Sequence, residues 1–262
     1  MKRRNALISF AAFAVFALFL ISQQSCKKDS NTKNPVLSVK LIDAPSAYDA
    51  VNVEIVGMEA NFGTGWTVLA MGNSGVYNLL SFTNGNSLAL INDTVIEPSI
   101  ISELRLILGI HNTVVVDGVT HELITPSGQT SGYKIKMDPQ HLIAGGVYNL
   151  ILDFNAQKSV HVTGNGTYML KPVVAGYLET SIGSIAGTIL PIEGAYYVEA
   201  TTATDTSGTY INPTNGQFLI SAVMPGNYHV KFFPNAGHSE KIVTGVVVAV
   251  GQTTQLGTII IE

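Results

Sequence analysis

The sequence predicts a mostly β chain in which two tandem sandwich-like domains follow an apolar leader and a short polar tether. Three observations carry that prediction. Gly, Thr, Ser and Asn are abundant while Val, Ile, Leu and Tyr recur in short runs, and charged residues make up only 12% of the chain. Apolar and polar residues alternate with period 2, as in Val51, Val53 and Ile55 against Asn52 and Glu54. Two-residue turn signals such as Asp117-Gly118 separate runs of β-branched residues.

The leader, residues 1–25, has the parts of an export signal. Lys2, Arg3 and Arg4 form a basic start, and an apolar run reaches from Phe10 to Ile21. A bilayer-spanning helix needs about 20 apolar residues, so this run suits cleavage better than a stable span. Cys26, the one cysteine of the sequence, follows at Ser25-Cys26-Lys27-Lys28-Asp29, and Ser25 supplies the small residue before a cut. Gln23 stands where a lipobox usually has an aliphatic residue. The segment resembles relaxed lipoproteins of the Bacteroidetes type, and the resemblance implies that Cys26 is acylated, palmitate included, and becomes the first mature residue. Two or more acyl chains hold a membrane firmly. The polar segment 26–35 is then a tether, and the outer membrane, at its periplasmic leaflet or its surface, is the expected location.

Strands are expected at 36–42, 51–55, 66–69, 104–108, 113–116, 133–137, 147–154, 160–162 and 173–178, with a hairpin at Asp117-Gly118 and a turn at Gly164-Asn165-Gly166. Short helices are expected only within 78–90 and 97–103. A domain boundary is expected near 180–184, giving domains 36–180 and 181–262. The second has strands at 185–190, 196–201, 217–220, 228–233, 246–250 and 255–261, with turns at Asn215-Gly216 and Pro225-Gly226.

The leader holds three of the 14 cationic residues and no acidic one, so the chain from Cys26 onward carries 11 Lys and Arg against 18 Asp and Glu, a formal charge of −7. That balance makes nucleic acid an unsuitable partner. With one cysteine no intramolecular disulfide can form, and the fold rests on its apolar core.

Two stretches resemble known families. Ile185-Ala186-Gly187-Thr188-Ile189, then Gly216-Gln217-Phe218-Leu219-Ile220 and Val223-Met224-Pro225-Gly226-Asn227-Tyr228-His229-Val230, are similar to carboxypeptidase regulatory-like modules. That likeness implies a transthyretin-like Greek-key sandwich without catalytic residues. Leu41-Ile42-Asp43-Ala44-Pro45, Tyr48-Asp49-Ala50-Val51, Asn78-Leu79-Leu80, the 126–135 loop and strand, Leu152-Asp153-Phe154-Asn155-Ala156-Gln157-Lys158-Ser159-Val160 and Tyr168-Met169-Leu170-Lys171-Pro172-Val173 appear in order. Together they resemble domain-of-unknown-function family 4382, found largely in bacterial lipoproteins. Asn155 departs from that pattern, which more often has a second acidic residue there.

No catalytic set is recognisable, and neither a metal nor a cofactor is expected. Asp43, Asp49 and Asp153 are the carboxylates that would bind a cation if they converged, but turn and cap roles suit them too. His111, His121, His141, His161, His229 and His238 lack ligand spacing. Ser127, Gly128 and Ser131, in a loop of turn formers, together with Asp153 and Lys171, are the candidate ligand-binding residues. Arg105 lies between Leu104 and Leu106 and should face away from the core. Trp66, Tyr77 and Tyr133 are possible sugar-stacking rings, with Trp66 expected in the core for its large apolar area. The expected function is a membrane-anchored, non-enzymatic binding or structural module with a glycan or another envelope protein as partner. The alternatives are a pilus-like or adhesin subunit, and a hydrolase whose site is assembled from distant loops.

Overall fold

The computed structural model describes residues 33–72, 74–125 and 131–262. The leader and Cys26 lie outside the described residues. Asn34–Glu262 forms one compact unit, and nearly all of its regular structure is strand, as the composition and alternation require.

The first half is a sandwich of two sheets. One sheet has the order β13-β10-β1-β5, from β1 (Val36–Asp43), β5 (Leu88–Val95), β10 (Val147–Phe154) and β13 (Val174–Leu178). β1 pairs in parallel with β10, from Val36 opposite Val147 to Asp43 opposite Phe154. The other sheet is organised by β2 (Ala50–Asn61), a 12-residue strand. Along one edge β2 pairs with β7 (Thr113–Val116) and then β6 (Ser99–Leu108). Along the other it pairs with β4 (Gly75–Asn78) and then β3 (Trp66–Leu69). β9 (Tyr133–Leu142) extends the β6 side, and β8 (Val119–Ile124), β12 (Tyr168–Leu170) and β11 (Val160–Val162) extend the β7 side. Alternation puts Leu37, Val39 and Leu41 of β1 and Val51, Val53 and Ile55 of β2 into one fully buried cluster between the sheets. Asp117 and Gly118 both take positive φ (49° and 74°), which the two-residue turn between β7 and β8 demands.

The second half is a smaller sandwich. β14 (Gly183–Leu190) lies between β17 (Gln217–Val223) and β20 (Thr253–Ile260), and the facing sheet has the order β16-β15-β18-β19. These last four strands are β15 (Ala195–Thr201), β16 (Thr206–Tyr210), β18 (Gly226–Pro234) and β19 (Lys241–Val248). Phe218 and Phe232 meet edge to face across the core, 5.4 Å between centroids, beside the buried Tyr228.

The two halves meet along a seam. Ile42, Ile151, Ile182 and Ala222 form a small apolar cluster with Tyr177 packed against it. β17 is an edge strand, and the Leu219 N–H donates to Asn84 Oδ1 at 2.7 Å, so a loop of the first half satisfies a donor the sheet leaves open. Tyr210 donates to the Ser46 carbonyl at 2.9 Å.

Three expectations fail. Short helices form outside the two expected segments, as at Ala156–Ser159, where the Asn155 side chain accepts the Lys158 N–H and caps the turn. Residues 99–103 of the 97–103 segment begin β6 and form no helix, because Ile101 and Leu104 are buried in the sandwich core while Ser99 and Ile100 pair with Leu142 and His141. Trp66 is not in the core. It lies half-buried on the outer side of the sheet, with the Arg105 guanidinium 3.9 Å from its ring centre, because Arg105 points outward and offers a flat cation to cover the indole. Arg105 also pairs with Glu59 at 2.7 Å.

Gly85 tests the seam. It has φ of +85°, and a Cβ there would approach Leu219 Cδ2 to 2.6 Å, whereas Gly63, with φ of +84°, has nothing within 4 Å. Gly85→Ala should lower unfolding free energy by about 1–3 kcal/mol, and by more than Gly63→Ala does, when both are measured by denaturant titration. Equal losses would mean that the Leu219 contact contributes nothing beyond backbone strain.

Candidate functional site

The segments that looked most like a functional motif converge at one end of the first sandwich. Phe154 ends β10, Asn155 caps a one-turn helix, Ala156–Ser159, and its side chain accepts from the Lys158 N–H at 2.9 Å. An asparagine caps as well as an aspartate. Asp43 Oδ1 accepts the Ala156 N–H at 2.9 Å, Gln157 accepts the Ala47 N–H at 2.8 Å, and Ser159 Oγ accepts the Val173 N–H at 2.8 Å. The Lys171 N–H donates to the Ser159 carbonyl at 2.8 Å. Asp43, Asn155, Gln157 and Ser159 thus tie β1, β10 and the chain after β12 into one knot.

The carboxylates do not form a cation site. Asp49 turns away to accept the Gly118 N–H at 2.8 Å, bracing the β7–β8 hairpin. Asp43 follows Leu41 to the inner face of its sheet, and Asp153 follows Ile151 to the outer face at the seam. Among the described residues no three His, Cys, Asp or Glu side chains group closely enough to hold a metal ion.

Their electrostatics follow from burial. Asp43 is 6% exposed and its Oδ2 has no partner, so burial, aided by Asp153 and opposed by the Ala156 and Ala44 N–H groups, pushes its carboxyl up to about 8. Asp153 is pushed up to about 6 by burial and by Asp205, against the pull of Lys158. Asp205, on the loop between β15 and β16, accepts the Tyr228 phenol at 2.8 Å. Burial and that hydrogen bond push the Tyr228 phenol upward.

The other candidates are not gathered with these. Ser127 and Gly128 lie outside the described residues. Ser131 is exposed just before β9, and Lys171 is exposed beyond β12. Hollows open elsewhere among the described residues, and three of them are lined by neither Ser131 nor Asp153 nor Lys171. One of about 430 Å³ lies between β9 and β13, with Lys136, Asp138, Tyr177 and Met224 at its wall. A second, about 740 Å³, has the outer face of the β17-β14-β20 sheet as its floor. Asn84, Asn86, Thr188, Asn212, Gln217 and Gln255 line it, and no lining residue is ionisable. A third, about 660 Å³, opens at the end of β15 beside Glu193, Tyr196, Tyr210 and Asn235. Of the sugar-stacking candidates, Tyr77 and Tyr133 pack against the first core and Trp66 lies under Arg105. Tyr177 borders the first hollow, Phe218 the second, and Tyr196 and Tyr210 the third. The adjacent pair Tyr196-Tyr197 is the sequence signal for Tyr196, since successive side chains of a strand take opposite faces and two neighbouring rings cannot share the core face.

A family model described as domain of unknown function (DUF4382) matches residues 35–172. The chain belongs to this family. The DUF4382 stretch contains all of the knot except Val173, with Asp43, Asp153, Asn155 and Lys171, and it supplies the Asn84–Asn86 wall of the second hollow. The third hollow lies beyond the DUF4382 stretch. No curated protein matches the chain. Among solved structures, the TIE protein of Bacillus anthracis aligns over 86% of this chain and 34% of its own, at 9% identity and a TM-score of 0.23. The chain thus spans about a third of that structure's length, and a likeness at that level carries no argument.

The raised Asp43 carboxyl makes stability depend on pH. The folded chain keeps a proton there from about pH 8 downward, whereas the unfolded chain releases it above 3.8. Stability should therefore fall as pH rises between those values, by up to about 1.4 kcal/mol per pH unit, and should gain nothing further below them. Asp43→Asn keeps an oxygen for the Ala156 N–H and has no proton to lose. Its unfolding free energy should change less between pH 5 and pH 7 than that of the parent chain, and identical slopes would contradict the assignment.

Proposed function

We propose that the protein is a lipid-anchored envelope lipoprotein, held at the outer membrane through acylated Cys26, whose β-sandwiches act as a non-enzymatic binding module for a neutral, hydroxyl-rich ligand such as a glycan. The basic start, the apolar run and Ser25-Cys26 support the anchor, and the polar segment 26–35 supports a tether. The seven strands of the second half, arranged as a three-stranded and a four-stranded sheet, support its reading as a carboxypeptidase regulatory-like module.

One observation carries the binding reading. The 740 Å³ groove on the β17-β14-β20 sheet presents amides and hydroxyls from both halves of the fold, with no ionisable group among its lining residues. Such a surface can both donate and accept hydrogen bonds, as the hydroxyls of a polyol require. Its own side chains supply no general acid or base and no means of activating a threonine. The titratable groups whose burial shifts them most, Asp43 and Tyr228, are occupied in holding the knot and the second core.

The anchor is tested by replacing Cys26. Cys26→Ala should move the protein from the membrane fraction to the soluble fraction and remove the acyl mass from its N-terminal peptide. Membrane retention by the variant, or a mature N-terminus without acylated Cys26 in the parent, would contradict the anchor. Binding is tested by passing the full chain over arrays of neutral and anionic glycans, where the reading expects the neutral set to be retained.

A further inference from the structure

The third hollow shows how one sugar ring could be held. In β15 the register with β18 shifts between Ala195, opposite Pro234, and Tyr197, opposite Phe233. Tyr196 is the additional residue of a β-bulge, a device that redirects a side chain out of the strand pattern. Its carbonyl accepts the Ile211 N–H at 2.9 Å, which holds the bulge in place. Tyr196 is 48% exposed and Tyr210 40% exposed. The Tyr210 ring is pinned by its phenol's bond to the Ser46 carbonyl. Asn235 is pinned as well, donating through Nδ2 to the Glu193 carbonyl at 2.7 Å and through its N–H to the Gly194 carbonyl at 3.2 Å. Among the described residues the Glu193 carboxylate and Asn235 Oδ1 have no partner.

Two aromatic rings held half in water beside a carboxylate and an amide oxygen make an amphipathic pattern. A pyranose has the matching one, with an apolar C–H face and a rim of hydroxyl donors. The volume, about 660 Å³, falls within the range of about 300–1,000 Å³ usual for small-ligand sites. The lining includes a carboxylate and no cationic residue, so an acidic sugar is disfavoured and a neutral one fits. The 211–217 turn separates this hollow from the amide groove, with Ile211 and Pro213 on one side and Asn212 and Gln217 on the other.

We propose that Tyr196 and Tyr210 form a stacking subsite for one pyranose ring of a neutral oligosaccharide, with the Glu193 carboxylate accepting its hydroxyls and the chain continuing over the 211–217 turn into the amide groove. This rests on the glycan reading above and assigns it a second contact surface.

The test is calorimetric titration of the full chain, purified from membranes in lauryldimethylamine oxide so that no detergent sugar competes. The probes are neutral gluco-, manno-, galacto- and xylo-hexaoses. At least one should bind, and Tyr196→Ala should raise its Kd about tenfold with an unchanged melting temperature, because a half-exposed ring contributes little to the core. Tyr196→Phe should keep most of the affinity, and Glu193→Gln should raise Kd several-fold. Gln255→Ala reports the amide groove separately. Binding that Gln255→Ala weakens but Tyr196→Ala and Glu193→Gln leave intact would overturn the subsite while the glycan reading stands. Binding of none of the hexaoses would overturn both. Tyr196-dependent binding of a proline-rich decapeptide, with no hexaose bound, would replace the sugar by a peptide.

Discussion

The parallel pairing of β1 with β10 is the constraint on which the rest of the molecule depends. Joining residues 36–43 to 147–154 brings the first strand beside the tenth and closes one sheet of the large sandwich. Its register puts Leu37, Val39 and Leu41 on the core side together with Leu150, Leu152 and Phe154. The same register leaves Ile42 and Ile151 on the outer side, where they meet Ile182 and Ala222 of the second half. A slip of one residue would send the inner set outward and remove both the core and the seam. The knot of Asp43 with Ala156 sits at the end of this ladder and needs the same alignment.

This arrangement separates two roles that sequence motifs tend to merge. The polar residues clustered in the DUF4382 stretch satisfy backbone donors where strands end, so their spacing reflects the geometry of a junction. A buried carboxyl with one oxygen unpartnered is tolerated there because protonation relieves the cost of burial. The surfaces with room for a ligand lie apart from these groups. The two on the second sandwich are built mainly from amides, hydroxyls and tyrosines, with the Glu193 carboxylate at one and a wall lent by Asn84 and Asn86 of the first sandwich at the other. The seam therefore does more than join two modules, since Asn84 also satisfies the free edge of β17.

Much of the fold was legible because alternation and two-residue turns are local signals. Residues 66–69, 113–116, 147–154 and 160–162 match their strands end to end. The segment 97–103 misled because the burial of Ile101 and Leu104 depends on sheets formed by distant strands. Trp66 misled because its partner, Arg105, is 39 residues away in sequence and reaches it only when β3 and β6 flank β2. The candidate site was less legible. Asp43 and Asp153 are close neighbours on adjacent strands, but pleating sends them to opposite faces. Tyr196 gained its role from a bulge, and the amide groove draws on residues from 84 to 258, a grouping that no local pattern announces.

Hydrogen–deuterium exchange on the full chain, with and without isolated neutral envelope polysaccharide, tests the central claim most directly. If binding belongs to the two hollows of the second sandwich, exchange should slow in segments 193–197, 210–219 and 253–258. Exchange in 150–159 and 168–173 should not change. Slowing confined to those knot segments, or no change anywhere, would contradict the account.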